Sequence, residues 1–536
     1  MGAFKTKIPF WRRGEPFVWL SAGSLSFIVF MVLLFLFVII SNGIAVFWPK
    51  PLIQFELKNG EVLLGEIAKE EVVRGKNRVQ VKVGNRDIYG EDFKWIHEDN
   101  VVTYGPPSGS LAIERLEYGN FYGYPLKLTV PSLGISIDAK DPNFNDSLAQ
   151  GFRLSLEKRD TVDTIQQEIL KINRNTAEEH NRLQKRSFAG VSGLEDKSSI
   201  RLKSLKRQFD DALSRLAQAK SDLKQDELVV REAGGKTKTI LVSHMVRYTT
   251  PNSMGLGEKT AYYGVRLWEL LWEDPRESNT EGGLFPAIFG TVLLIIIMSI
   301  MSFPFGVIAG IYLREYAKDG ALVRVIRIAV NNLAGIPAIV YGIFGLGFFV
   351  YGVGSGIDSQ FFPERLPEPT FGTGGILWAS LTLGILTIPV VIVATEEALG
   401  AIPRALRESS YALGATKLQT LIRVLLPSAS GGIMTGFILA MSRAAGEVAP
   451  LMITGVVKLA PNLPIDGQSP FFHLNRKFMH LGFHIYDISC QSPNIEAAKP
   501  MVYVTTLLLL VIVLTLNSLA IWMRNRMQKK FQVQAV

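Results

Sequence analysis

Between residues 284 and 523 the chain carries five apolar runs, at about 284 to 313, 325 to 353, 375 to 395, 429 to 457 and 500 to 523. Each is long enough to cross a bilayer, which takes roughly 20 residues of helix with some tilt. Hydrocarbon offers no partner for a peptide group, so uninterrupted runs of this length must satisfy their own backbone as helices. A sixth run, Leu20 to Trp48, stands alone behind Lys5, Lys7, Arg12 and Arg13. It exceeds the apolar core of a signal peptide and lacks a small-x-small cleavage site, so it reads as a retained span at 20–48 behind a cytoplasmic tail, 1–19.

The charges between the runs alternate as a multi-pass topology demands. Arg314, Lys318, Arg324 and Arg327 are expected inside, Asp358, Glu364 and Glu368 outside, then Arg404, Arg407, Lys417 and Arg423 inside. Arg524, Arg526, Lys529 and Lys530 close the chain inside, in a tail at 524–536. The reading is a helical integral membrane protein of about six spans with both termini cytoplasmic. The net charge of +9 is distributed beside apolar segments, which points to membrane lipid and not to nucleic acid. With 20% charged residues the chain must also hold a substantial polar part. The single cysteine, Cys490, excludes an intramolecular disulfide and a cysteine-rich metal site, and reads as a free thiol.

That polar part is residues 49–281, expected outside the membrane. Residues 54–130 alternate in places, as in Val79-Gln80-Val81-Lys82-Val83, between turn signals such as Asn59-Gly60 and Val83-Gly84-Asn85, and read as antiparallel sheet. Over 156–232 the period changes. Val162, Ile165, Ile169 and Ile172 form one heptad seam; Leu202, Leu205, Phe209, Ala212, Leu216, Ala219 and Leu223 form another. Ser187 to Gly193, with Gly190 and Gly193, separates them, so a helical hairpin is expected, either a docking arm or a self-packed spacer. Gly235-Lys236-Thr237 has the tail of a phosphate-binding loop, but the required earlier glycine is Val230. No other phosphate-loop pattern occurs, so ATP hydrolysis would need another polypeptide, and no cofactor is expected in this chain.

Within 282–523 one polar interval stands out, 396–428, too polar to span. Glu408-Ser409-Ser410 is followed after three residues by Gly414, and after nine more by Val424, Leu426 and Pro427. Glu408 to Leu413 reads as a short helix ended by Gly414 in a left-handed conformation. Thr416 then caps a second helix, Lys417 to Leu425, with Leu418, Leu421, Ile422 and Leu425 on one face, and Pro427 is expected to stop it. The fifth run contains Ser442-Arg443-Ala444-Ala445-Gly446-Glu447-Val448-Ala449-Pro450. An ionised residue at membrane depth costs at least ~2.5 kcal/mol, so Arg443 must face protein, water or a partner charge. Glu447, four residues on, shares its helix face. The two read either as an anion path, in which Arg443 offers forked donors to an oxyanion and Glu447 tempers the grip, or as a pair that only fixes helix packing.

The first pattern resembles the EAA loop of ABC importer permeases, with Ser409 and Ser410 in place of two alanines and Val424 in place of isoleucine. The second is similar to the intramembrane motif of phosphate-specific importer permeases. Three further stretches fit that subfamily: Ile311 to Ala317 (IYLREYA), Leu333 to Gly342 (LAGIPAIVYG) and Ile402 to Ser410 (IPRALRESS). Their order most resembles the A-type (PstA-type) permease, over about Leu284 to Arg524; the large outer insertion departs from that family's compact form.

The resemblance implies a type I ABC importer permease core in the bacterial cytoplasmic (inner) membrane, with 49–281 a periplasmic α+β insertion. It implies ATPase coupling through Glu408, Ser409, Ser410, Gly414, Leu426 and Pro427, and a substrate path at Arg443 and Glu447. It further implies partner ATPase subunits that bind ATP and Mg, a second homologous permease, and a soluble phosphate-binding protein. Another oxyanion, molybdate or sulfate, would suit the same path. A membrane signalling receptor is a different class, but one would need an output domain that the short tail after Arg524 does not supply. His473, His480 and His484 lie close in sequence without a zinc-binding pattern and read as a polar outer loop; no metal site and no nucleophile elbow are expected.

Overall fold

The computed structural model describes residues 15–188, 195–276, 279–318, 320–467, 470–492 and 494–532. Six of its helices are long and apolar enough to cross a membrane: Pro16–Ala45, Phe285–Tyr316, Ala338–Phe361, Ile376–Gly400, Lys417–Gly446 and Ile495–Lys529. The protein is a helical membrane protein with a large insertion between its first and second spans. The fourth span is central, packed between the second and the fifth. Small residues allow this closeness: a Cβ on Gly306 would come 2.7 Å from Val391 Cβ, and one on Gly310 equally near Thr395 Cβ. In lipid, where apolar surface alone does not drive helices together, such backbone proximity supplies the packing. The first span is exposed along most of its length and touches the sixth, where Gly43 admits Leu507.

The expected boundaries of the spans need correction. The run at 325–353 is not one helix: Ala321–Leu333 is a separate amphipathic helix with Leu322, Val325 and Ile328 exposed, and the span starts at Ala338. Gly335-Ile336-Pro337 divides them, since Pro337 lacks an N–H and biases the residue before it away from helix. The fifth span begins upstream, at Lys417, and Pro427 does not stop it; a π-helical turn at Leu421–Leu425 passes directly into Leu426–Gly446. It also ends earlier than 457, at Gly446. The first helix runs Glu15–Ala45, and the last continues to Gln532. The basic residues before position 14 and the C-terminal residues from 533 lie outside the described residues.

Among the described residues the insertion contains two large antiparallel sheets and, at its end, a two-stranded pair of Pro275–Arg276 with Glu281–Gly282. β1 (Leu52–Leu57), β2 (Val62–Val73), β3 (Lys76–Lys82), β4 (Phe93–His97) and β5 (Val101–Gly105) lie in the order β4-β3-β2-β1-β5. Asn59-Gly60 turns β1 into β2, with Gly60 at φ +81, and Phe55 opposes Leu63. Alternation buries Phe55, Leu63, Val81 and Ile96 together. The second sheet holds β6 (Leu111–Arg115), β7 (Asn120–Val130), β8 (Ile135–Asp138), β9 (Glu227–Arg231), β10 (Thr237–Leu241) and β11 (Met245–Thr249) in the order β10-β9-β7-β6-β11, with β8 also on β7. Strand structure therefore extends beyond 54–130, and 227–231 is a strand and not part of the hairpin.

Between β8 and β9 rises a helical arm, Phe144–Phe188 and Glu195–Asp222. It starts before 156; Phe144 and Leu148 at its base pack into the second sheet. Ile172, Leu205 and Ala212 are buried along the seam with Ile169 and Phe209 against them, and Arg215 pairs with Glu168 at 2.8 Å. Part of the expected break, 189–194, lies outside the described residues. The arm does not stand free. Lys185 lies 3.3 Å from Glu364, and Arg174 donates to Asn462 Oδ1 at 2.7 Å and lies 3.8 Å from Asp466. It thus rests on the segments that join spans three to four and five to six. Gly235, at φ +98, belongs to the tight β9–β10 turn and to no phosphate loop.

Candidate functional site

Two arrangements carry the candidate residues, on opposite faces of the span bundle. On the face away from the insertion, Arg404–Ala412 is a short helix, and Gly414 follows at φ +82. No atom lies within 4 Å of where its Cβ would be, so the backbone angle and not crowding calls for glycine. Thr416 caps the next helix, accepting from Gln419 N at 3.3 Å while Gln419 Oε1 accepts from Thr416 N at 2.9 Å. Ser410 meets Thr420 hydroxyl to hydroxyl at 2.9 Å across the turn. Glu408 and Ser409 face solvent, Leu413 is 89% exposed, and Leu426 and Pro427 are half-buried inside the fifth-span helix. The expected apolar face divides: Leu421 and Leu425 are buried against Leu399 and Ile402, whereas Leu418 and Ile422 point outward.

What holds this loop was not among the expected site residues. Arg407 donates to the carbonyls of Leu399 (2.7 Å) and Ile402 (2.8 Å) and to Glu315 Oε1 (2.8 Å). Arg327 donates to Glu396 (3.1 Å) and to Leu313 O (2.9 Å). Lys417 Nζ sits 4.6 Å from the centre of the Tyr316 ring. The Tyr312–Tyr316 turn at the end of span two is therefore a bracket around the loop. Its sequence, Tyr-Leu-Arg-Glu-Tyr, had marked it as charged residues against an apolar run, but pairing across 92 residues leaves no local signature.

The second arrangement sits where the fifth span ends on the insertion face. Arg443 is in the last turn, roughly 39 Å along the helix from Lys417 at 1.5 Å per residue. Glu447 is not on the same helix: it is the extended residue after it, at φ −83 and ψ 120. Were the helix to continue, the Pro450 ring would meet the carbonyl of Gly446, and Pro450 instead opens the short helix Ala449–Thr454. Arg443 Nε still lies 3.5 Å from Glu447 Oε1, with side chains 36% and 26% exposed. The pair is accessible, which leaves the guanidinium free to present further donors.

Neighbouring contacts fix its frame. Ser442 Oγ donates to Asn517 on span six at 2.8 Å. A Cβ on Gly342 would come 2.8 Å from Pro450 Cα, so Ala338–Phe344 crosses the short helix in backbone contact. Val448 touches Gly482 at the start of Leu481–Cys490. In that element the expectation of a polar loop fails: His480 and His484 are 0% and 2% exposed, and burial pushes each down to about 4. His480 Nδ1 accepts from Gly482 N at 3.1 Å, an N-cap, and His473 pairs with Asp466 at 3.0 Å. Among the described residues no His, Cys, Asp and Glu cluster could hold a metal ion.

Residues 302–532 match the family described as binding-protein-dependent transport system inner membrane component. The chain is 30% identical to the probable ABC transporter permease protein YqgI of Bacillus subtilis (strain 168) over 254 residues, 46% of this chain and 80% of that protein. It is 33% identical over 202 residues to YqgH of the same organism, also a probable ABC transporter permease protein, covering 37% of this chain and 61% of that one. It is 36% identical over 182 residues to the phosphate transport system permease protein PstA of Yersinia pestis, 34% of this chain and 56% of that one. The matches to YqgH and the Yersinia protein thus span less than two thirds of those relatives. Among solved structures, the inward-facing methionine ABC transporter MetNI is 20% identical, with 46% of this chain and 95% of that chain covered and a TM-score of 0.33.

Proposed function

Because the chain belongs to the binding-protein-dependent transport system inner membrane component family, we propose that it is a permease subunit of an ATP-driven importer of inorganic phosphate. The observation that carries the phosphate reading is Arg443, set at the broken end of span five with a third of its side chain accessible and one carboxylate, Glu447, beside it. A planar guanidinium suits a tetrahedral oxyanion, and a single neighbouring carboxylate keeps the hold from becoming permanent. Similarity to PstA of Yersinia pestis supports the choice of anion.

In this reading the chain lies in the bacterial inner membrane with both termini cytoplasmic and residues 49–281 periplasmic. The loop around Glu408, Ser409, Ser410 and Gly414, with exposed Leu413 at its tip, seats in a separate ATPase subunit that binds ATP and Mg. A second homologous permease completes the path, and a soluble phosphate-binding protein delivers cargo from the periplasm. ATP binding and hydrolysis then bias an equilibrium between outward- and inward-open forms, and the bracket at Arg407 and Glu315 passes the bias from loop to spans.

The test is reconstitution of the complex in liposomes with a phosphate-loaded binding protein and internal MgATP. Radiolabelled phosphate should accumulate and be competed by phosphate but not by sulfate or molybdate. Uptake of sulfate or molybdate in preference would replace the anion, and failure of an ATPase to co-purify would remove the importer reading.

A further inference from the structure

The helix Leu256–Trp272 has its polarity reversed relative to a helix on a water-facing domain. Beyond its first turn, where exposed Glu258 caps the helix by accepting from Gly255 N at 2.9 Å and Lys259 is half-buried, the charged residues Arg266 and Glu269 point inward, into an ionic cluster on the second sheet. Glu114 lies 3.2 Å from Arg266, 2.9 Å from Arg276 and 3.6 Å from Arg247, and Glu269 reaches Arg266 at 3.2 Å and Arg247 at 2.5 Å. All five side chains are at most 20% exposed. The opposite face carries Ala261, Val265, Trp268, Leu271 and Trp272, at the three-and-four spacing of one helical stripe, and all are exposed. Trp268 is 64% exposed and Val265 52%. A contiguous exposed apolar stripe of this kind marks an interaction surface.

Continuity with the bundle identifies what covers it. The helix passes into the second span by a tight connection in which Leu284 N donates to Leu270 O at 2.7 Å and Phe285 N to Glu273 O at 3.2 Å. Trp272 packs on Phe285, the first residue of that span, with ring centres 5.6 Å apart, and Trp268 packs on Trp272 at 5.5 Å. Tyr263 meets Trp48, just beyond the end of the first span, at 6.2 Å. Two spans thus reach the membrane boundary at the level of this helix, and tryptophan is the residue that settles at that boundary. We propose that Leu256–Trp272 lies in the headgroup region of the leaflet on the insertion side, as an interfacial anchor that seats the insertion on phospholipid. The ionic cluster on its other face makes the seat rigid, so the sheets and the arm are held at a set height over the bundle.

The single cysteine makes the test direct. A Cys490→Ser chain, assembled in its complex and reconstituted in liposomes of phosphatidylethanolamine and phosphatidylglycerol, receives a nitroxide at Val265→Cys, Trp268→Cys or Ala261→Cys. Leu213→Cys on the arm serves as the water-exposed control. The expected result is loss of collision with a water-soluble nickel chelate and gain of collision with oxygen at the three helix sites relative to the control. Ala261 is small and exposed, so that site reports even where a tryptophan replacement impairs assembly. Nickel accessibility equal to the control overturns the proposal in favour of a helix in water. Low accessibility to both reagents, together with crosslinking to another subunit, overturns it in favour of a protein partner.

Discussion

Arg407 Nη2 lies 2.8 Å from Glu315 Oε1, with the two side chains 16% and 9% exposed, and this ties the polar loop to the end of the second span. The same guanidinium donates to the carbonyls of Leu399, in the last turn of the fourth-span helix, and Ile402, just past it. Arg407→Ala strands a mostly buried carboxylate and should cost roughly 3 kcal/mol. The expected outcome is a lower melting temperature of the complex and loss of coupled uptake. Arg407→Lys should recover little, because one ammonium cannot serve three acceptors in that plane. Full uptake by Arg407→Ala would show that the bracket transmits nothing.

Gly414 is open on all sides but held at φ +82. An L side chain there costs ~1–2 kcal/mol, and a β-branched one resists the angle most. Gly414→Val should reach the membrane, hydrolyse ATP with its partners and transport poorly. Gly414→Asn should fall between, since asparagine tolerates the left-handed region. Normal uptake per ATP in Gly414→Val would count against a coupling role.

The accessible Arg443–Glu447 pair is expected to add only about 0–1 kcal/mol to stability, so neither single replacement should prevent assembly. Arg443→Ala should abolish phosphate uptake, and Arg443→Lys should restore little of it. In the double variant Arg443→Ala with Glu447→Ala the complex should assemble and still fail to transport. Recovered uptake in that variant would reduce the pair to packing.

The arm makes polar contacts with the bundle through Lys185–Glu364, Arg174–Asp466 and the hydrogen bond from Arg174 to Asn462, all made by partly exposed cations, and pairs with an exposed partner add little to stability. Its two helices are in register at Glu168 and Arg215. Removing residues 169–214 and joining those two positions by a short glycine linker therefore shortens the arm without touching β9. Some uptake should remain in liposomes. Complete loss with an intact complex would make the arm part of the transport cycle.

Buried His480 and His484 are each pushed down to about 4 from 6.5, chiefly by burial. Below pH 6.5 the unfolded chain takes up protons that the folded chain refuses, so stability falls as pH drops toward 4. The slope approaches about 1.4 kcal/mol per pH unit for each histidine. His480→Asn can keep the cap on Gly482 N through its side-chain oxygen, and should flatten the fall in melting temperature between pH 6.5 and 4.5. An unchanged slope would mean that His480 already charges in the fold.

The spans were legible because apolar length is a property of the segment alone, and the seams because a heptad repeats. What failed to show was what depends on a distant partner or on one residue inside a strong pattern. Gly335-Ile336-Pro337 is apolar enough to be read through, so the amphipathic helix before it merged with the third span. Pro450 acts on the residues before it and ends the helix at Gly446, so Glu447 leaves the helix face expected for it and still pairs with Arg443. Leu228-Val229-Val230 has the β-branched content of a strand followed by Gly234-Gly235, yet its pairing with β7 cannot be inferred from neighbours. Arg174 with Asp466 and Arg407 with Glu315 are contacts across the chain, and nothing beside either residue announces them.

The second sheet fixes an order of events during synthesis. β7 pairs with β9, and β6 with β11, so neither pairing can form until the whole arm has been delivered to the same side of the membrane. Closure comes only after Thr249, shortly before Phe285 starts the next crossing. Non-local strand pairing is slow and leaves open edges exposed while it waits. The arm packs Phe144, Leu148, Phe152 and Leu154 into the core of this sheet and supplies no strand to pair with those edges. A chain arrested between residues 188 and 227 would therefore be the form most prone to aggregate, and the interval at which a chaperone on that side would have most to do.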